Sequence, residues 1–228
     1  MNALLNEIMD QAGVLNSVDT QKDYDWSYPY FVRYFSDRAV ITEHDFIIGS
    51  SFTYSWMPTI LRYKSMNNDQ SNKNLFDEKA KQAADILCRA RCFEPLSMES
   101  LYFLKGVINN SLVGTSKLLH FVNPDVYAIW DSRVMKFLLG KRYRYSMLKD
   151  PQLYYRYLDL CHELTKHPDF NHTKECYMER LGYQVSSLRV VEQILFLNSS
   201  HELKNTWEYC KNANRLHKTL PLASQVRH

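Results

Sequence analysis

The residues best placed to do chemistry lie between Ser111 and Gly140, where a carboxylate, an amine and several large rings fall close together. Asp131 stands directly before a helical stretch, Ser132 to Leu139, which Gly140 ends. A carboxylate at such a position accepts from the free backbone N–H groups of the first turn and feels the positive end of the helix dipole. It is therefore a fixed negative charge, which serves catalysis where positive charge develops in a transition state, and which otherwise simply caps the helix. Lys117 supplies an amine that could act as a nucleophile or stand as an exposed helix lysine. Tyr127, Ile129 and Trp130 beside the aspartate, and Tyr54 and Trp56 in the run Tyr-Ser-Trp-Met-Pro, could wall a pocket or pack in the core.

Two further groups invite a chemical reading. Arg133, Lys136, Lys141, Arg142 and Arg144 follow Asp131 closely, interleaved with Tyr143 and Tyr145; such a run could neutralise phosphates or could be a solvated helix end. Cys161, His162, His167, His172 and Cys176 carry the side chains that zinc prefers, but their spacing fits no standard ligand pattern and Pro168 interrupts them. Polar loop histidines are the expectation, with no metal and no cofactor. No phosphate-binding glycine loop, dinucleotide fingerprint or nucleophile elbow is present.

The elements that would position these residues read as helices throughout. Leu4, Leu5, Ile8 and Met9 form one stripe over residues 3 to 12, with Gly13 as a stop. Thr42 can cap a helix whose first turn carries Asp45 and which ends before Pro58. Residues 64 to 74 are polar and aperiodic, as in an exposed loop. Ala80, Ala83, Ala84, Leu87 and Cys88 follow the spacing of a one-sided buried helix, and Ser97 caps another bearing Leu101, Leu104 and Ile108. After a tight turn at Gly114 comes a short helix from Ser116 to Val122, then a loop opened by Pro124. Asp150 and Pro151 supply a cap and a first-turn proline for a stripe from Leu153 to Leu164. Val190 to Leu197 suggests a buried helix, Trp207 docks a last one, and the residues after Asn212 form a loose tail. Nothing alternates with period two. The expectation is an all-α protein, with an N-terminal helical subdomain over 1–95 and a C-terminal one over 96–228 forming one compact unit around a cleft.

A glycine turn, a short helix, a loop and then an aspartate capping the next helix resemble the hairpin of the helix-hairpin-helix DNA glycosylases, in their oxoguanine-glycosylase-like branch. The resemblance covers residues 114 to 134. It implies that Gly114, Thr115 and Ser116 hold a DNA phosphate, helped by Arg133, Lys136, Lys141 and Arg142. Asp131 would stabilise the sugar cation or orient water, and Trp56, Tyr54, Tyr127 and Trp130 would enclose an extruded base. The turn of that family has two glycines, and here Leu112 occupies the first. Ser116 falls where base-excising lyases of the family carry their Schiff-base lysine, and Lys117 comes one residue later. With Ser116 in that place the enzyme acts through water; with Lys117 the amine route and strand cleavage open. The implied function is excision of a modified or damaged base from double-stranded DNA, in repair or in phage defence. The alternatives are a non-catalytic helical module that keeps the hairpin for DNA or protein contact, and a helical regulatory protein.

Composition restricts the classes without choosing among them. The chain has 228 residues, 45% hydrophobic and 23% charged, with six glycines and seven prolines, which suits a folded domain with a real core and excludes a low-complexity chain. Its formal charge of +3 is too small to mark a nucleic-acid binder by itself. Five cysteines without a C-x-x-C pair fit free thiols and exclude a four-cysteine iron–sulfur loop. The N-terminus lacks a basic start with a long apolar stretch, so a cytoplasmic monomer is the expectation.

Overall fold

The structure, a computed structural model, describes residues 2–18, 23–63, 70–92, 95–201 and 203. Among these residues it is all-α: α1 (Asn2–Met9), α2 (Asp23–Ser36), α3 (Glu43–Ser55), α4 (Gln70–Ala90), α5 (Met98–Val107), α6 (Leu112–Val122), α7 (Ser132–Leu139), α8 (Pro151–Leu164), α9 (Phe170–Leu181) and α10 (Ser187–Leu197). Short 3₁₀ turns occupy Ala12–Ser17, Gly140–Arg142 and Tyr145–Lys149. The only pairing of extended backbone among the described residues is a bridge between Tyr63 and Ile108. None of these helices is long and apolar enough to cross a membrane.

The helix starts follow local chemistry. Thr42 and Asp45 form a reciprocal capping box on α3. Ser97 caps α5 by accepting from the Ser100 N–H, Asp131 caps α7 by accepting from the Arg133 N–H, and Asp150 accepts from two N–H groups ahead of Pro151 on α8. Other expectations are corrected. Gly13 does not end a helix over 3–12: α1 stops at Met9, and Gly13 lies inside the 3₁₀ turn that follows. Residues 70–74 belong to α4 rather than to a loop, while 64–69 lie outside the described residues, as do Trp207 and everything after Asn212. Helices α2 and α9 were not apparent in the sequence. Helix α2 carries Pro29 in its interior and is rich in rings that favour other conformations, so tertiary packing overrides its propensity.

One core runs through the molecule. Helix α6 lies at its centre, packed by α2, α3, α4 and α5, and most of its side chains are buried, including the polar Thr115, Ser116, Lys117 and His120. Both halves of the sequence thus contribute to the same interior. The loop from α6 to α7 is pinned from two sides. Tyr154 and Tyr157 of α8 donate to the carbonyls of Ala128 (3.1 Å) and Ile129 (2.9 Å), and the Trp130 N–H donates to Ser116 Oγ (3.0 Å). Because backbone groups on successive residues are fixed by buried side chains, the position of Asp131 is rigid.

Candidate active site

The hairpin between α5 and α6 turns earlier than the glycine suggests. Asn109 and Asn110 take the left-handed conformation, with φ of 56° and 51°, and Ser111 caps α6. Asparagine tolerates that region because its short polar side chain bonds locally; here the Asn109 side chain also donates to the Ile60 carbonyl at 2.8 Å. Gly114 lies within the helix instead. A Cβ there would come within 2.6 Å of the Tyr54 hydroxyl and 2.9 Å of its ring, so glycine is required for the close approach of α3. Gly114→Ala should destabilise the fold by about 1–2 kcal/mol despite the better helix propensity of alanine, because overpacking a buried contact outweighs it. Urea denaturation checks the value, and a stabilised variant would show that Tyr54 yields freely.

The phosphate grip assigned to Gly114, Thr115 and Ser116 is corrected by burial. Thr115 and Ser116 are inaccessible to solvent, and their hydroxyls bond within the protein: Thr115 to the Ser111 carbonyl (2.8 Å), Ser116 to the Val113 carbonyl (2.9 Å) and the Trp130 N–H. Three of the four proposed pocket rings are likewise core. Tyr127 Oη accepts from the Leu96 N–H at 3.0 Å, Trp130 Nε1 donates to the Leu148 carbonyl at 3.2 Å, and Tyr54 lies against Gly114. Of the four, Trp56 lines a large cavity that the other three do not.

That cavity, of about 1450 Å³, brings Asp131 together with Lys117. Lys117 Nζ is 3.9 Å from Asp131 Oδ2 and 3.5 Å from the Trp56 carbonyl, while Asp131 Oδ1 is occupied by the Arg133 N–H at 2.8 Å. The contrast with the rest of α6 is instructive. His120 is held tightly, its Nδ1 at 2.6 Å from the Tyr127 carbonyl and its Nε2 at 3.0 Å from the Tyr28 hydroxyl, which assigns a neutral ring with the proton on Nδ1. Burial pushes it down to about 3, consistent with that neutral form. Thr115 and Ser116 bond just as closely. Lys117 is the loosely held member: a buried amine with no partner closer than 3.5 Å. Burial pushes its ammonium below the ordinary lysine value, against the opposing pull of Asp131 and Glu192.

The floor of the cavity is a set of charges missed in the sequence. Helix α10 presents Arg189, Glu192, Gln193, Phe196 and Leu197 to it, at the i, i+3, i+4, i+7, i+8 spacing of one helix face. Arg189 donates to Glu192 Oε2 at 2.6 Å and lies 3.7 Å from Asp25 Oδ1 of α2; Gln193 donates to the same Glu192 oxygen at 2.9 Å. The guanidinium also sits 4.9 Å from the centre of the Tyr28 ring and 5.5 Å from that of Trp56. An Arg-x-x-Glu-Gln run inside an otherwise apolar helix was the available signal, because buried charges occur in pairs.

Cations stand at the mouth. Arg62, Arg133 and Lys149 line it, together with Ile60 and Tyr145, which are 76% and 71% exposed. Lys136, Lys141 and Arg142 are exposed on α7 and the turn after it but do not line the cavity. Nor do the cysteines and histidines assemble: Cys161 is buried in α8, His172 and Cys176 approach each other on exposed α9 at 3.7 Å, and no cluster of three metal-ligating side chains occurs among the described residues. No family model, curated protein or solved structure matches the chain.

Proposed function

We propose that the chain is a DNA glycosylase-like enzyme that excises a modified or damaged base and that Lys117 is its nucleophile. One observation carries the reading: a buried, loosely held amine and a rigid carboxylate face each other across the wall of an open cavity with cations at its mouth. Ser116, locked between two backbone groups, has no access to that space. The geometry therefore favours the amine over water as the attacking group.

In the proposed reaction the neutral Lys117 Nζ adds to C1′ of an extruded nucleotide. The N-glycosidic bond breaks with its electron pair leaving on the base, and the proton shed by the amine balances the one the base takes up. Asp131 Oδ2 stabilises the cationic sugar between these events. The ring-opened sugar is then a Schiff base on Lys117, and loss of a proton from C2′ expels the 3′ phosphate. Trp56 gives the extruded base an apolar face. Ile60 and Tyr145 offer exposed apolar surface to the unstacked duplex, and Arg62, Arg133 and Lys149 meet phosphates.

The decisive experiment presents the protein with duplexes carrying a panel of lesions and modified bases, in borohydride, and looks for a covalent protein–DNA adduct and for alkali-labile sites. Absence of both across the panel sinks the reading. The cationic mouth has its own test. Arg133→Gln/Lys149→Gln should flatten the plot of log affinity against log salt by about 2, roughly one for each lost phosphate contact. An unchanged slope would place the DNA elsewhere.

A further inference from the structure

The turn that carries Tyr145 and Lys149 to the mouth is held by donors from outside it. Over Tyr145–Lys149 the backbone forms a 3₁₀ turn in which Leu148 is the buried residue. The last carbonyls of such a turn would bond to N–H groups three residues on. For Leu148 that residue is Pro151, which has no N–H, and for Lys149 it is Gln152, whose N–H donates instead to Asp150 Oδ1 at 2.9 Å. Two buried side chains supply the donors that the chain itself does not: Trp130 Nε1 reaches the Leu148 carbonyl at 3.2 Å, and Lys105 Nζ of α5 reaches the Lys149 carbonyl at 3.0 Å. Taking an ammonium out of water is costly, and an apolar side chain would fill the same place without desolvating a charge. The side chains of the turn are ordered with its backbone. Lys149 Nζ lies 5.8 Å from the centre of the exposed Tyr145 ring, and both residues line the cavity. Trp130 also ties the turn to the proposed catalytic pair: its backbone N–H donates to Ser116 Oγ, next to Lys117, and its carbonyl leads directly into Asp131.

We propose that Lys105 is a positioning residue for the substrate: with Trp130 it fixes the turn Tyr145–Lys149 as a rigid rim, which sets Lys149 against a DNA phosphate at a constant place relative to Lys117 and Asp131. This rests on the reading of the cavity as a DNA site. Lys105 does not line the cavity, so it acts only through the turn whose carbonyl it holds. Its effect therefore falls on the grip of DNA and not on the bond-making step. A lysine kept only to hold α5 against its neighbours would cost stability on replacement and leave that grip unchanged.

The test uses the full chain and Lys105→Met, which keeps the length of the side chain and removes the donor. Amide hydrogen exchange is read at Met147 and Asp150, whose N–H groups close the turn on the carbonyls of Arg144 (2.9 Å) and Met147 (3.2 Å). Exchange there should quicken about tenfold or more in Lys105→Met, while that of α10 stays as in the wild type. Duplex affinity across salt is the second readout. The slope of log affinity against log salt should flatten by about one, as in Lys149→Gln, and the double variant Lys105→Met/Lys149→Gln should be no flatter than Lys149→Gln alone. At saturating protein the single-turnover excision rate should stay within roughly threefold of the wild type. If Lys105→Met does not fold, Trp130→Phe, which loses the indole N–H and keeps an aromatic ring, should show the same local exchange and the same flattening. Unchanged exchange at both amides, or a loosened turn with the wild-type salt slope, overturns the proposal. A wild-type chain that binds no duplex refutes the glycosylase reading and the proposal with it, whereas one that binds while Lys105→Met keeps its slope refutes the proposal alone.

Discussion

Lys117→Met is expected to abolish the borohydride-trapped adduct and to lower strand cleavage on the order of 10³-fold or more, because the group that would form the covalent bond is gone. Methionine is close to lysine in length and unbranched, so it can fill the same channel between α6 and the end of α3. The same change should leave stability equal or higher. Burial already works against the Lys117 charge, and its contacts at 3.5 and 3.9 Å return less than a close ion pair would. A residue kept for structure shows the opposite signature, losing stability when replaced, and denaturant midpoints measured beside adduct yields separate the two. The pH dependence has a defined sign as well. Burial lowers the proton affinity of the amine, so trapping should rise with pH and reach half its maximum below the ordinary lysine range. A midpoint at the value of a solvated lysine would mean that the amine reacts from water and not from the cavity.

What was legible in the sequence follows from the range over which each signal acts. Caps are local, and so Thr42, Ser97, Asp131 and Asp150 located the starts of α3, α5, α7 and α8. Apolar stripes are nearly as local and found the cores of α4 and α10. Gly114 was misread because a glycine marks either a turn or a close approach, and only the position of Tyr54, distant in sequence, tells which. The real turn uses two asparagines. Tyr127 and Trp130 looked like pocket walls by adjacency to Asp131, yet the pinned loop directs Asp131 to the cavity, the Tyr127 ring to Leu96 ahead of α5 and the Trp130 ring to α8. Arg189, Glu192 and Gln193 were hidden because an apolar count registers Val190, Val191, Ile194 and Leu195 and passes over the polar face between them. Lys117 was visible as an amine, but its burial and its distance to Asp131 depend on how α6 sits against α7 and α3.

Asp131→Asn separates the two roles a carboxylate plays at the head of α7. Asparagine caps a helix about as well as aspartate, and its side-chain oxygen can keep accepting from the Arg133 N–H, so the fold should lose only a few tenths of a kcal/mol. Asp131→Ala, which loses that bond, should cost about 1 kcal/mol. Catalysis depends instead on Oδ2, the oxygen 3.9 Å from Lys117, and on its full negative charge. A neutral amide lacks the negative charge that would stabilise a sugar cation, and excision should fall about 10²–10³-fold in Asp131→Asn, close to the loss in Asp131→Ala. Single-turnover excision rates set beside urea midpoints for the two variants make the comparison. Were Asp131→Asn to excise at the wild-type rate while Asp131→Ala failed, the carboxylate would be a helix cap and nothing more. The cation would then have to be met by another carboxylate of that cavity, and Glu192 is buried on its lining. The double variant Asp131→Asn/Glu192→Gln settles that choice, since loss in the double alone assigns the charge to Glu192 and loss already complete in Asp131→Asn assigns it to Asp131.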